Sequence, residues 1–385
     1  MSYYTGEDLS VAAFRALVAQ KLDPASVPRA DAIEKSVPVY DMARLRPDLR
    51  GAARRGLQAE WAWVLKDGPG VLLLKNSFPD LAVIDRATAL FDAIIAREAA
   101  AGGAKGDHFA KAGKNARIWN VAQKQCLADP EGFVLYHGNP AIDAVSEAWL
   151  GPGYQMTTQV NVVRPGGAAQ TPHRDYHLGF MSAERIRDFP VHVHDLSPFL
   201  TLQGGIAHGD APVEAGPTRL LPFSQSYGPG YLAYHEAEFA AVFADHAVQV
   251  PLDKGDVIFF NPALFHAAAE NRTADMHRMV NLMQVCSGLG RAMEALDRAA
   301  MCRAIYPVLQ RLAAAKEPDP AVDAAAAVAA AAEGYSFPTS LDTDPPVGGL
   351  APETMAQLFH RALAAGMAPE AFAQALAAMA ARRRA

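Results

Sequence analysis

The feature that most constrains the fold of this chain is a change of sequence pattern between residues 154 and 286. Short runs rich in β-branched and aromatic residues follow one another there, separated by glycine and proline: YQMTTQVNVV, PFLTLQGGIAH, TRLLPF, HAVQVPL, DVIFF and RMVNLMQV. Strands of this length with turn residues between them are typical of a β-sandwich or jelly roll. The pattern therefore predicts a β core in the middle of the chain.

Helical patterns flank this β segment on both sides. Before it, helical spacing alternates with a buried strand, GVLLLKNSF at 70–78, and after it the chain becomes Ala-rich and helical. We expect an α+β protein with a jelly-roll core. We expect an N-terminal helical extension at 1–60, the jelly-roll domain at 61–290, and a helical C-terminal extension at 291–385 that packs on the core.

The bulk composition indicates a folded protein and excludes two classes of partner. About half of the residues are apolar, and the net charge of -6 is spread along the chain apart from Arg382, Arg383 and Arg384. A nucleic-acid surface needs a clustered basic stripe, and a membrane span needs roughly 20 apolar residues. The N-terminus also lacks a basic region followed by an apolar core. We expect a cytoplasmic monomer or homodimer with no nucleic-acid or membrane partner.

The most informative segment is QVNVVRPGGAAQTPHRDYHLGF at 159–180. A strand ends there in a Pro-Gly-Gly turn, after which His173 and Asp175 stand two residues apart. On an extended backbone such residues lie on one face, so the two side chains can bind one metal ion together. A second His-x-Asp pair, His208 and Asp210 in IAHGDAP, is a direct competitor.

A third ligand is offered by His266, which ends the β-like run GDVIFFNPALFH at 255–266. Two imidazoles and one carboxylate on one face of an octahedron leave three positions open, an arrangement typical of non-haem Fe(II) oxygenases. A bidentate 2-oxo acid and O2 can take these positions. We therefore expect His173, Asp175 and His266 to bind Fe(II) and to form the catalytic centre.

An oxo acid such as 2-oxoglutarate also calls for a basic residue, because its remote carboxylate pairs well with a bidentate guanidinium. Arg278 begins RMVNLMQV, 12 residues after His266. Arg272 is the alternative, but it lies in the turn-like ENRTAD, where a side chain is more exposed. The sequence favours Arg278.

With these residues in place, the stretch from about 60 to 286 resembles the phytanoyl-CoA dioxygenase family of Fe(II)- and 2-oxoglutarate-dependent oxygenases. The resemblance rests on motifs in the family's order: GVLLLKNSF, the His-x-Asp pair, GPTRLLPFS at 216–224, GDVIFF before His266, and Asn271 and Arg278 behind it. This order favours His173 and Asp175 over the competing pair, since the GP segment then follows at the family's spacing.

The resemblance implies a double-stranded β-helix core of the cupin-like jelly-roll type. It also implies an oxidoreductase, a 2-oxoglutarate-dependent dioxygenase that hydroxylates a small organic substrate and releases succinate and CO2. One departure is Ala268, which stands where the family often has a hydroxyl residue. The contacts to 2-oxoglutarate beyond Arg278 are therefore not implied.

Other polar residues are candidates for the pocket. Gln159 and Asn161 alternate onto one face of a strand, and Thr201 and Gln203 do so on another, where they bind the oxo acid or form a network among themselves. Candidates for the substrate are Arg117, Trp119, Tyr176 and His177. No basic cluster that would bind the phosphates of an acyl-CoA is visible.

Two rival functions remain open on the sequence. A cupin-like metalloenzyme would hold Zn or Mn through the same three residues without an oxo acid, and would not need a buried Arg278 near the metal. A metal-free jelly-roll binding protein would show the side chains of His173, Asp175 and His266 failing to converge within about 4 Å of a common point, since metal–ligand bonds are near 2 Å.

Overall fold

The computed structural model describes residues 3–101, 115–315 and 319–384. The strands within these ranges, β1 to β10, span Ala32–Glu34, Val37–Asp41, Val71–Lys75, Asn115–Ile118, Gln155–Val163, Thr201–Ala207, Arg219–Leu220, Val257–Phe260, His266–Ala267 and Arg278–Cys286. The α-helices, α1 to α15, span Val11–Val18, Met42–Leu45, Gly51–Lys66, Ala82–Ala100, Val121–Ala128, Pro130–His137, Pro140–Leu150, Ala183–Ile186, Val191–Leu196, Gly230–Ala233, Ala237–His246, Arg298–Ala313, Ala324–Ala331, Met355–Ala364 and Pro369–Arg382.

Eight of these strands form one central sheet in the order β1-β2-β3-β8-β6-β10-β5-β4. Its longest ladder joins β5 and β10 in antiparallel register, from Gln155 opposite Cys286 to Val163 opposite Arg278. The strands β1 and β2 lie in the stretch expected to be a helical extension, so this stretch also contributes to the sheet. The protein is a mixed α/β molecule with a large central sheet, as the expected fold class requires.

The two faces of the central sheet bury different sets of residues because side chains alternate along a strand. In β3, Leu72 and Leu74 join the apolar cluster that includes the helices. Val71 and Leu73 of the same strand join a second cluster on the opposite face. Both faces are therefore covered, which explains why these strands are continuous apolar runs rather than alternating ones.

The second face of the sheet packs against a smaller β layer. The strands β7 and β9 pair there, and bridges join Leu220 to Val248 and Ala211 to Leu252. Leu220 and Leu252 belong to the same apolar cluster as Ile258 of the central sheet. The far side of this smaller layer is covered by α1 and α11. The chain thus stacks two β layers with a space between them.

The C-terminal helices pack on the helical side of the central sheet. Met301, Ile305 and Tyr306 of α12 share one apolar cluster with the sheet. The sequence left open whether the Ala-rich stretch is a helix; it forms α13, whose small residues are buried. No helix in the described ranges is both long and apolar enough to cross a membrane.

Candidate active site

The segment that carries His173 and Asp175 runs beside the strand that carries His266. The backbone N–H of His173 donates to the carbonyl of His266 at 3.0 Å, and the N–H of His266 donates back at 3.1 Å. The N–H of Asp175 donates to the carbonyl of Pro262 at 2.9 Å. These backbone bonds bring together ligands that are far apart in sequence.

The three side chains converge on one small region. His173 Nε2 lies 3.6 Å from Asp175 Oδ1, and His266 Nε2 lies 3.2 Å from Asp175 Oδ2. One potential ligand atom from each residue lies within 4.8 Å of the others. No second group of three or more His, Cys, Asp or Glu converges in this way in the part of the chain that the structure describes.

Both imidazoles are held by backbone carbonyls through their other nitrogen. His173 Nδ1 lies 2.9 Å from the carbonyl of Thr171, and His266 Nδ1 lies 2.9 Å from the carbonyl of Leu264. Because a carbonyl only accepts, each Nδ1 carries the proton and each Nε2 presents a lone pair. Two such nitrogens and one carboxylate form a donor set that fits Fe(II).

The local electrostatics favour the protonation states of His173 and Asp175 that bind a metal. Burial and the neighbouring His266 lower the pKa of His173. Burial raises the pKa of Asp175, but attraction to the imidazoles in their protonated form and a hydrogen bond from Gln203 outweigh it and lower this pKa to about 2. At neutral pH, Asp175 is therefore ionised and His173 is neutral.

The three residues line a cavity of about 390 Å³ between the two β layers. Arg278 lines the same cavity and is only 7% exposed. Its Nε is buried without a hydrogen-bond partner, and no carboxylate in the described ranges pairs with its guanidinium. Burial lowers the pKa of Arg278 to about 10. A buried, unpaired cation is costly, so this position is suited to an anionic ligand.

Three of the four polar strand residues face this cavity, namely Gln159, Asn161 and Gln203. Gln203 donates a hydrogen bond through Nε2 to Asp175 Oδ2. Thr201 is buried elsewhere, where its hydroxyl lies 3.0 Å from His177 Nε2.

A partial network among these side chains is present. Gln159 Nε2 donates to Gln284 Oε1 at 3.1 Å, and its own Oε1 accepts from Arg117 at 3.0 Å. The Oδ1 of Asn161 and the Oε1 of Gln203 are buried, and neither has a hydrogen-bond partner in the part of the chain that the structure describes. The alternative of a purely internal network is therefore incomplete, and acceptor atoms remain for a ligand.

Three of the four substrate candidates line the cavity. Arg117 lies 5.1 Å from the ring centroid of Trp119, which is 36% exposed, and both line the cavity. Tyr176 is buried beside Asp175 and lines the cavity as well. His177 does not line the cavity, because it turns toward Thr201.

The competing residues lie elsewhere. His208 is buried against the helical layer, with both ring nitrogens in hydrogen bonds of 2.8 Å to Thr88 and Tyr136. Asp210 accepts from the backbone N–H of Lys254. Arg272 is exposed, as the sequence predicted, and does not line the cavity.

Two further residues that contact Gln159 were missed by the sequence analysis, and one of them, Gln284, lines the cavity. Gln284 has a detectable signal, because it shares the alternating face of its strand with Arg278. Glu294 accepts from the N–H of Asn120 at 2.8 Å and from Gln159 at 3.4 Å, and burial raises its pKa. It lies in an irregular segment after the last strand, where no pattern marks it.

Comparison with known proteins places the chain in a family. The family model described as Phytanoyl-CoA dioxygenase (PhyH) matches residues 67–280. Among curated proteins, Dioxygenase trt7 of Aspergillus terreus (strain NIH 2624 / FGSC A1156) is 28% identical over 144 residues, which are 37% of this chain and 44% of the relative. The chain therefore matches less than half the length of this relative.

Solved structures also superpose on part of the chain. The non-haem α-ketoglutarate-dependent carbocyclase SnoK from nogalamycin biosynthesis aligns with a TM-score of 0.45 at 20% identity, over 61% of this chain and 86% of that one. EvdMO1 aligns with a TM-score of 0.43 at 18% identity, over 61% of this chain and 50% of that one.

The matched region includes all three converging residues and Arg278, and it covers more than half of the chain. The resemblance stated from the sequence motifs is therefore confirmed. The chain belongs to the phytanoyl-CoA dioxygenase (PhyH) family.

Proposed function

We propose that this protein uses Fe(II), 2-oxoglutarate and O2 to hydroxylate a small organic substrate, with release of succinate and CO2. The observation that carries the proposal is the buried guanidinium of Arg278, which has no carboxylate partner among the described residues and lines the same cavity as His173, Asp175 and His266. Bound Fe(II) would supply the activation of O2 that couples decarboxylation of the oxo acid to oxidation of the substrate.

The chemistry of a 2-oxo dicarboxylate matches this arrangement. One end of the molecule offers a carboxylate and a keto oxygen for the metal, and the other end is a second carboxylate. Arg278 has the donors for a bidentate pair with that second carboxylate, and the low local dielectric strengthens such a pair. The apolar side chains of Val280 and Leu282, which follow on the same face of β10, line the cavity beside it and help to exclude water.

The same observations argue against the two rivals. A cupin-like enzyme with Zn or Mn and no oxo acid leaves the buried charge of Arg278 unexplained. A metal-free binding protein leaves unexplained why both imidazoles present Nε2 toward one carboxylate. We therefore favour the oxygenase over both alternatives.

In this proposal, the two β layers are the two sheets of a cupin-like double-stranded β-helix. We assign it to residues 61–290, with extensions at 1–60 and 291–385, of which the N-terminal one adds β1 and β2 to one of the two sheets. Arg117, Trp119 and Tyr176 are the proposed substrate contacts. His177, the fourth candidate, faces Thr201 and is not proposed as a contact. Gln159, Asn161 and Gln203 are proposed to contact the co-substrate. We propose a cytoplasmic monomer or homodimer with a small-molecule substrate and no nucleic-acid or membrane partner.

The experiment is an anaerobic titration of the Fe(II)-loaded protein with 2-oxoglutarate, followed by admission of air. We expect a weak visible charge-transfer band to appear, and succinate to form in air. Arg278→Met should weaken 2-oxoglutarate binding by about 30-fold or more, because breaking a buried charge pair costs roughly 2–5 kcal/mol. The exposed Arg272→Met is the matched control and should behave as the parent.

Two results would contradict parts of the proposal. If the Fe(II)-loaded parent gives neither the band nor succinate, and His266→Ala is indistinguishable from it, the oxygenase function is wrong. If Arg278→Met binds 2-oxoglutarate as tightly as Arg272→Met does, the assigned role of Arg278 is wrong.

A further inference from the structure

Arg174 lies between His173 and Asp175 but points away from the cavity that they line. Its side chain is among the largest that are fully buried, with 2% of the residue exposed. The Nη2 atom donates to the backbone carbonyls of Ser224 at 2.6 Å and Tyr227 at 3.0 Å. No carboxylate in the described ranges pairs with this guanidinium, so its hydrogen bonds go to the backbone.

The same guanidinium lies against two aromatic rings. Its Cζ is 5.0 Å from the ring centroid of Tyr231 and 5.2 Å from that of Phe265. Phe265 directly precedes His266, and its backbone N–H donates to the hydroxyl of Ser224 at 2.8 Å. Arg174 thus packs against Phe265, the residue that precedes the third ligand. In sequence, it stands between the other two ligands.

The space around Arg174 is shaped for this side chain. A Cβ atom added to Gly230 would lie 2.0 Å from the Cζ of Arg174, and one added to Gly179 would lie 2.2 Å from its carbonyl oxygen. Burying a cation without a carboxylate partner is costly, and apolar packing of similar volume would be at least as stable. Its presence is therefore better explained by geometry than by stability.

From these contacts we infer that Arg174 is a positioning residue, which holds His173, Asp175 and His266 at the spacing that a metal ion requires. This inference rests on the proposed function in assuming that the three residues bind a metal. Arg174 touches neither the metal nor the substrate. It acts by tying the His-x-Asp segment to residues 224–227 and to Phe265 through one rigid planar group.

The experiment measures metal affinity rather than turnover. Co(II) is titrated into the metal-free parent, Arg174→Met and Arg174→Lys, and its binding is monitored through the visible ligand-field spectrum. The Fe(II) affinity of each protein is then obtained by anaerobic competition. We expect Arg174→Met to lower the affinity by about 10- to 100-fold and to change the Co(II) spectrum, as loss of a group supporting a metal ligand does. Arg174→Lys keeps the charge and should recover part of the loss.

Arg298 provides a matched control for the loss of a buried arginine. It is 8% exposed, it donates to the carbonyls of Met156 at 3.2 Å and Ala330 at 3.5 Å, and it does not line the cavity. Arg298→Met should lower the melting temperature but leave the Co(II) affinity and spectrum unchanged. If Arg174→Met does not fold, Arg174→Lys is compared with the parent instead: it keeps the charge but not the planar guanidinium, and a Co(II) affinity and spectrum equal to those of the parent would overturn the positioning role.

The outcomes separate this inference from the proposed function. A parent that binds neither Co(II) nor Fe(II) overturns the metal site itself, before any variant is compared. If the parent binds both ions but Arg174→Met matches its affinity and spectrum, the positioning role is wrong. It is also wrong if Arg298→Met loses as much affinity as Arg174→Met.

Discussion

Two His-x-Asp segments of this chain end in opposite environments. In the segment of His173 and Asp175, the imidazoles of His173 and His266 each bond to a backbone carbonyl through Nδ1. Their Nε2 atoms face the carboxylate of Asp175. At His208, both nitrogens are already in hydrogen bonds with hydroxyl groups, and burial lowers the pKa to about 3. Asp210 turns to the backbone of Lys254 instead.

The difference shows that a His-x-Asp triplet is not by itself a metal site. A metal ligand needs an imidazole nitrogen with a free lone pair, directed at other ligands. His173 meets this condition because its segment pairs with β9 at the cavity, whereas His208 follows β6 and contacts the helical layer. The first pair is therefore expected to matter for metal binding and the second for stability.

The largest expected difference concerns the two carboxylates. Asp175→Ala should reduce Fe(II) affinity and 2-oxoglutarate consumption by more than about 100-fold, because it removes the anionic ligand. Asp210→Ala should leave both within about twofold of the parent. Isothermal titration with metal and an assay for succinate measure the two effects. Equal losses in the two variants would remove the distinction between the pairs.

The stability of the protein should show the opposite ranking for the histidines. His208→Leu leaves the half-buried hydroxyl of Thr88 and the buried hydroxyl of Tyr136 without their shared partner, which should lower the free energy of unfolding by about 1–3 kcal/mol. His173→Leu should change the free energy of unfolding of the metal-free protein by less than about 1 kcal/mol. Urea denaturation of the metal-free proteins measures both. A larger loss for His173→Leu would contradict the ranking.

The last expected effect, which is the smallest when expressed per pH unit, is on the pH dependence of stability. The pKa of His208 is lowered from its ordinary value of 6.5 to about 3, so between these values the unfolded chain binds a proton that the folded chain does not. Stability therefore falls as the pH falls through this window, by at most ~1.4 kcal/mol per pH unit from this residue.

His208→Gln removes this contribution, so its stability should depend less steeply on pH between about 6.5 and 3. Burial likewise lowers the pKa of His137 to about 3, and because His137 is present in both proteins, the difference in slope isolates His208. Denaturation curves at several pH values measure it. Parallel pH profiles would show that His208 is not held neutral in the folded state.

The sequence predicted the parts of the molecule that depend on local pattern. The runs around β3, β5, β6, β8 and β10 are strongly apolar, and each forms a strand. The side chains of Gln159, Asn161 and Gln203 face the cavity because alternation along a strand is a rigid geometric rule. Arg278 could be favoured over Arg272 because a strand start is more buried than a turn.

Other parts depend on contacts that no local pattern records. The strands β1, β2 and β4 are short and edge-proximal, and they are strands because they pair with the sheet. The sequence could not show that Tyr176 lines the cavity whereas His177 does not. Both residues adopt a positive φ, which redirects the chain at that point. Glu294 approaches the cavity only through the tertiary fold.

One measurement tests the metal and co-substrate site most directly. It is an anomalous difference map at the iron edge from crystals of the protein grown anaerobically with Fe(II) and 2-oxoglutarate. We predict one iron peak bound by His173, Asp175 and His266, with the remote carboxylate of 2-oxoglutarate on Arg278. A peak on other residues, or a bound 2-oxoglutarate that leaves Arg278 without a partner, would contradict this site.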